Sequence, residues 1–260
     1  MGAYDFFEVT NDMLAKDLSM QSKATEKVPM AGTRLPFTVK AVRNESDLMK
    51  AVHIRQTAYG RHVPELAELL RVPEPYDRDD GSVVLLAESK LDGSPVGTMR
   101  IQTNRYGKLG LEDSVVLPEW LRNKNLAEAT RLGVSGGRIG RLPKTMLFKA
   151  YYDYCVDEDI DWMVITARSP LDRQYEALLF KDVFPGGDFI PMHHVSNIPH
   201  RVMAFEVATA ENRWAAAHHP LFDFIFRTYH PDIEVTSQDS ILSKYSMRQP
   251  QISNRIGTRH

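Results

Sequence analysis

The sequence has a single cysteine in its 260 residues, Cys155, so no internal disulfide can form. A reducing compartment, the cytoplasm, is the expected setting. Long apolar runs are missing too: the longest is Val83-Val84-Leu85-Leu86-Ala87, far short of the ~20 residues that cross a bilayer as a helix. Met1-Gly2-Ala3-Tyr4-Asp5 shows neither a basic stretch nor an apolar one, so no secretory signal is expected. There is no excess of charge of one sign. Thirty-two basic residues face thirty-four acidic ones, a net charge of −2, and nucleic-acid binders carry a basic excess, so no nucleic-acid partner is expected. No internal repeat is visible. What is present is ordinary for a globular chain, 43% hydrophobic and 25% charged, which excludes disordered and fibrous classes and is enough to bury a substantial core.

Patterning divides the chain in three. Residues 1–36 are polar, with a weak helix near Asp12 to Leu18, and read as an extension. Residues 37–235 carry ordered periodicities, and residues 236–260 form a polar tail. Within the middle part, Phe37-Thr38-Val39-Lys40-Ala41 alternates as a first strand, and Ser46 or Asp47 offers an N-cap to a helix bearing Leu48, Val52, Arg55 and Tyr59. A second helical piece covers Pro64 to Leu70, and the acidic, proline-flanked stretch Pro73 to Asp80 reads as a loop. Val83–Ser89 and Val96–Gln102 form a hairpin around Asp92-Gly93. Further strands are expected at Leu126–Val134, Trp162–Ala167 and His200–Ala208. Helices are expected from Pro143 to Val156, from Ser169-Pro170 to near Phe180, and around Trp214 until Pro220. This order fits an α/β fold, a mixed sheet with helices on both faces.

Two stretches carry chemistry. Gly136-Gly137-Arg138-Ile139-Gly140-Arg141 lies between a strand and a helix, where backbone N–H groups and the helix dipole favour phosphate; a flexible, solvated turn fits the spacing equally well. It is neither a G-x-G-x-x-G fingerprint nor a P-loop. From Arg122 to Lys149 there are seven basic residues against one acid, Glu128, a local patch that suggests an anionic partner. The second stretch is Glu128-Ala129-Thr130-Arg131, a charged pair inside an apolar strand. Burying unpaired charge is expensive. Strict alternation sends Glu128 and Arg131 to opposite faces, so both reach one cleft only if a β-bulge shifts the register. Arg100 and Arg55 lie upstream as possible partners. Cys155 among tyrosines reads as a small core residue. His193-His194 lacks a second ligand cluster, so no metal is expected, and His230-Pro231-Asp232 reads as a helix terminator.

The order Arg55…Tyr59, Tyr76-Asp77-Arg78-Asp79-Asp80, Gly97-Thr98-Met99-Arg100, Glu128-Ala129-Thr130-Arg131-Leu132 resembles the autoinducer-synthase and N-acyl amino acid synthase branch of the GNAT-fold acyltransferases. Tyr175 to Phe180 resembles the helix end common in GNAT proteins, and Trp214 to Tyr229 resembles the C-terminal helical region of the N-acyl amino acid synthases. The acetyl-CoA signature R/Q-x-x-G-x-G/A does not occur between Arg131 and Arg141, and no tryptophan lies between Arg55 and Asp80 where the lactone synthases usually carry one.

The resemblance implies a GNAT-like, mostly antiparallel mixed sheet and direct acyl transfer to an amine. Glu128, directly or through water, would be the base; an α-amine of pKa near ~8 needs only a modest one. Arg131 would serve the donor or hold Glu128. Arg55, Tyr59, Asp77, Asp80 and Arg100 would bind the acceptor, with Arg100 or Arg55 clamping its carboxylate. Gly136, Gly137, Arg138, Gly140 and Arg141 would hold the phosphate of a phosphopantetheine. No tightly bound cofactor is implied; the donor is acyl carrier protein, or acyl-CoA, and the acceptor an amino acid. Rival readings are a homoserine-lactone-type synthase using S-adenosylmethionine, a CoA-dependent acetyltransferase, and a non-catalytic carrier-binding module. A structural ion-pair network competes with the catalytic reading of Glu128 and Arg131.

Overall fold

The computed structural model describes residues 32–235; the helix expected near Asp12 to Leu18 and the polar tail lie outside them. The chain opens with β1 (Phe37–Ala41) and α1 (Glu45–Gly60). The cap of α1 is Asn44, two or three residues earlier than expected: its Oδ1 accepts the Asp47 N–H at 2.9 Å, satisfying an otherwise unpaired donor. Residues Leu48, Ala51, Val52, Ile54, Arg55 and Ala58 form the buried stripe of α1, so Arg55 points inward with the apolar side chains. After α2 (Pro64–Leu69) comes a short 3-10 turn, Pro75–Arg78, in the stretch that reads as a loop from sequence. β2 (Ser82–Ser89) and β3 (Pro95–Thr103) form the expected hairpin, with Gly93 at φ +68°, a conformation its Asp-Gly turn needs.

A 3-10 turn at Gly110–Asp113 and a one-turn α3 (Glu119–Arg122) lead into β4 (Leu126–Val134). Then follow α4 (Arg141–Asp157), β5 (Trp162–Ala167) and α5 (Asp172–Ala177). α5 stops short of the expected Phe180 because Leu179 turns left-handed (φ +68°) and the Phe180 N–H folds back to the Tyr175 carbonyl. Short strands β6 (Lys181–Asp182) and β7 (Ile190–Met192) precede β8 (Ile198–Glu206). α6 (Ala210–Ala216), a π turn at Asp223–Arg227 and β9 (Ile233–Glu234) complete the described chain. β6, β7 and β9 are too short to generate a period-2 pattern, which is why alternation misses them.

The sheet order is β6-β8-β5-β4-β3-β2-β1-β9, with β7 beside β8. All pairs are antiparallel except β4–β5 and β1–β9. Both faces are covered, so the central strands are apolar on both sides: on β2, Leu85 and Ala87 join the α4-side core while Val84 and Leu86 pack beneath α1. The α4-side core includes Met146, Leu147, Tyr151 and the fully buried Trp214, which stacks on Phe148 (ring centroids 6.1 Å apart). Leu66, Leu109, Leu121 and Val164 anchor a further apolar cluster on the α1 face. The parallel pair β4–β5 is registered only from Leu126/Trp162 to Ala129/Ile165. Past that point the two strands part, and the split positions the site.

Candidate active site

β4 carries the bulge that sharing one cleft would require of Glu128 and Arg131. Against β3, Arg100 pairs with Thr130 and Thr98 with Gly133, so three steps on β4 answer two on β3. The extra residue falls at Arg131, whose φ of +55° is costly for a side chain of this size. The bulge turns the Arg131 guanidinium to the same face as Glu128 and Thr130. There it meets the turn at Pro75–Arg78: Arg131 Nε and Nη2 each donate to the Glu74 carboxylate at 2.6 Å. Arg55 donates with both terminal nitrogens to Asp77 at 2.8 Å, and with Nη1 to Glu74 at 3.2 Å. Arg100 reaches Glu74 (3.1 Å), Asp77 (3.2 Å) and the Thr130 hydroxyl (3.2 Å).

Three buried guanidinium groups are therefore held by two carboxylates. Burial pushes the Glu74 carboxyl up, but the hydrogen bonds from Arg131 and the charges of Arg131, Arg100 and Arg55 outweigh it and hold Glu74 below its ordinary value. Asp77 is held low in the same way, by Arg55 and Arg100. Because Arg55 and Arg100 are already engaged by carboxylates, clamping an acceptor carboxylate would require them to exchange partners. Close packing of α1 on this face explains Gly133: a Cβ there would stand 3.1 Å from the Ala58 Cβ and 3.2 Å from the Arg55 Cα.

Glu128 behaves differently. It has no exposed surface, and its Oε2 accepts the Leu111 N–H at 3.2 Å. Burial pushes its carboxyl up to about 7, against the pull of the Leu111 and Gly110 N–H groups and of Arg100 and Arg131. Its Oε1 has no hydrogen-bond partner and lies 4.0 Å from His194 Nε2. His194 sits in the turn His193–Val195, whose backbone is pinned by Arg131 Nη2 to the His194 carbonyl (2.8 Å) and by the His193 N–H to Ser114 Oγ (2.8 Å). Burial, with the nearby charges of Arg131, His200 and Arg100, pushes the imidazole down to about 4, so it is neutral near pH 7.

The split between β4 and β5 opens into a cavity of about 220 Å³. Ala58, Tyr59, Leu66, Leu132, Val195 and Ile198 supply apolar wall, and Thr130, Arg131, Thr166 and His194 stand beside the point where the strands part. Farther along β4, near Val134, the lining turns basic with Arg61, Lys144 and Arg168. Arg61 Nη2 donates to the Val134 carbonyl at 2.6 Å, and burial pushes the Lys144 ammonium down to about 8. Beyond Val134 the loop Gly136 to Arg141 runs to α4. Gly137 is at φ +67°, and a Cβ on Gly140 would fall 1.9 Å from the Ser135 carbonyl oxygen, so only glycine allows this closure. Gly136, Gly137 and Arg138 are exposed, and Arg141 Nη1 is buried without a hydrogen-bond partner.

Of the residues singled out from sequence, Arg55, Asp77, Arg100 and Arg131 form one cluster, Glu128 lies beside it on the same sheet face, and Tyr59 lines the cavity. Asp80 is exposed and makes none of these contacts. The basic patch divides: Arg122 and Lys124 precede β4 while the glycine loop follows it, and Arg131 and Lys149 are buried. Sequence reasoning missed Glu74, His194, Thr166 and Arg61. Glu74 stands three residues before Asp77 in the same acidic turn, and the histidine pair His193-His194 suggests from sequence only a metal ligand.

No family model and no curated protein matches the chain. Among solved structures, FeeM, an N-acyl amino acid synthase from uncultured soil microbes, is similar over 70% of this chain and 97% of its own, at 16% identity and a TM-score of 0.53. BjaI, a CoA-dependent acyl-homoserine lactone synthase, is similar over 80% and 98%, at 15% identity and a TM-score of 0.50. The strand order, the covered sheet that parts between β4 and β5, and these likenesses together show that the chain carries the GNAT fold.

Proposed function

We propose that the protein is an N-acyltransferase that joins a long-chain acyl group, delivered as the thioester of acyl carrier protein, to the amine of an amino acid. The observation that carries the reading is the cavity at the β4–β5 split. It has an apolar wall, a basic stretch at Arg61, Lys144 and Arg168, and titratable groups where the strands diverge. That is the distribution an acyl thioester requires: apolar surface for the chain, cations for the phosphopantetheine phosphate, and a proton acceptor for the amine.

The exposed glycine loop and the unpartnered Arg141 Nη1 are suited to the phosphate, and a carrier protein's acidic surface would meet Arg138 and Arg61 from outside. Arg131, on the cavity wall with Nη1 unpartnered, is the arginine best placed for the acceptor carboxylate. Backbone N–H groups freed where β4 leaves β5 would face the developing oxyanion. The test is to incubate the protein with acyl-loaded carrier protein and, separately, long-chain acyl-CoA, each with pooled amino acids, and to read products by mass spectrometry. An N-acyl amino acid from the carrier-protein donor is expected. Product from acyl-CoA alone would move the donor assignment, and a lactone formed with S-adenosylmethionine would move the acceptor assignment.

A further inference from the structure

We infer that His194 takes the proton from the attacking amine and in turn passes a proton to Glu128 behind the cavity wall. This deepens the acyl-transfer reading above and rests on it. The resemblance implies Glu128 as the base, directly or through water, but Glu128 is fully buried and does not line the cavity. His194 does line it, and stands next to Glu128: its Nε2 is 4.0 Å from Glu128 Oε1 and 3.4 Å from Thr166 Oγ1. Two buried polar atoms on these adjacent groups, Glu128 Oε1 and His194 Nδ1, have no hydrogen-bond partner. Buried polar atoms are nearly always paired, and an unpaired one calls for an explanation, a catalytic role among them. A separation of 4.0 Å closes to a hydrogen bond with a small ring movement, as catalytic contacts in unliganded sites commonly do.

With its proton on Nε2, His194 keeps the Nδ1 lone pair for the amine. The amine nitrogen forms a bond to the thioester carbonyl carbon and gives one proton to Nδ1, while Nε2 passes its own to the Glu128 carboxylate. The C–S bond then breaks with its electron pair on sulfur, and the thiolate takes up the proton the pair releases, leaving an amide and a free thiol. The groups that face His194 favour this direction. Arg131 and Glu128 approach from β4, Arg100 from β3, Glu74 from the Pro75–Arg78 turn and His200 from β8. Burial and the cations hold the imidazole near 4, whereas the Glu128 carboxyl sits near 7, so a proton arriving on His194 is drawn onward. Arg131, gripping the His194 carbonyl, is the positioning residue.

Two measurements test the relay. In acyl transfer, wild type is expected to gain rate as the pH rises through about 7, the range in which the Glu128 carboxylate forms. His194→Gln should lower kcat by about 10²-fold or more while leaving the donor KM and the unfolding temperature unchanged, and Glu128→Gln should remove the rise near 7. A folded His194→Gln that keeps kcat within about threefold of wild type overturns the relay and leaves acyl transfer standing. The second measurement needs no turnover. ¹⁵N-imidazole NMR of the full chain should show the His194 ring signals shift near pH 7, where the Glu128 carboxylate forms beside Nε2, and Glu128→Gln should lose that step. Ring signals that do not move near pH 7 in wild type overturn the relay. A step near 7 in a protein that acylates nothing supports the proton pair and sinks the acyl-transfer reading instead.

Discussion

Glu128 offers a stability measurement that is independent of any substrate. Its carboxyl ordinarily titrates at 4.5 and is pushed up to about 7 by complete burial. The native state therefore keeps a proton that the unfolded chain has already released. Stability contributed by that proton is present below pH 4.5 and is lost as the pH climbs toward 7, after which the cost is constant. At 1.36 kcal/mol per unit, the full penalty is about 3.4 kcal/mol, and it grows by about 2.5 kcal/mol between roughly pH 5 and pH 8.5. Glu128→Gln keeps the shape and cannot ionise. The penalty vanishes, so the variant should gain about 2.5 kcal/mol relative to wild type across that interval. Urea unfolding of both proteins at the two pH values measures this as a double difference, from which unrelated titrating groups drop out. His194, depressed to about 4, works with the opposite sign below its ordinary 6.5, but it is present in both proteins. Equal pH dependence in the two proteins would refute the claim that burial raises the Glu128 carboxyl.

The buried ion cluster should be intolerant of losing a carboxylate: Glu74→Gln leaves Arg55, Arg100 and Arg131 facing Asp77 alone, and a loss of about 3–5 kcal/mol is expected in the urea midpoint. Within the glycine loop, Gly140→Ala must displace the Ser135 carbonyl and should weaken donor binding as well as stability. Gly137→Ala, open on all sides but at φ +67°, should cost only about 1 kcal/mol, and the comparison can be read by thermal unfolding and donor KM.

How much of this was legible beforehand depends on range. Where a local pattern decides, the sequence sufficed: β1, the β2–β3 hairpin, β4 and β5 alternate or run apolar and were found within a residue or so. The bulge is an intermediate case. Glu128 and Arg131 are an odd number of residues apart, so alternation sends them to opposite faces, and the sequence could state the register shift only as the condition for their meeting. What the sequence could not reveal was the partner. Glu74 and Asp77 lie in a stretch whose composition says solvated loop, and nothing local reports that their side chains fold under α1. His194 is a stronger case of the same limit. Its significance comes from standing between a buried carboxylate sixty-six residues earlier and a cavity that exists only because two strands diverge.

The last described strand closes the chain on itself. β9 lies parallel to β1, the Asp232 carboxylate accepts the Leu35 N–H at 2.7 Å, and the Thr33 N–H donates to the Tyr229 carbonyl. The beginning and end of the described chain are thus stitched together across nearly two hundred residues. Such a closure gives no help to the nascent chain, because β1 cannot gain its outer neighbour until everything between has been made. During synthesis that edge stands open, a row of unpaired backbone donors and acceptors on an apolar strand. The arrival of β9 is then also the event that covers the outer side of β1.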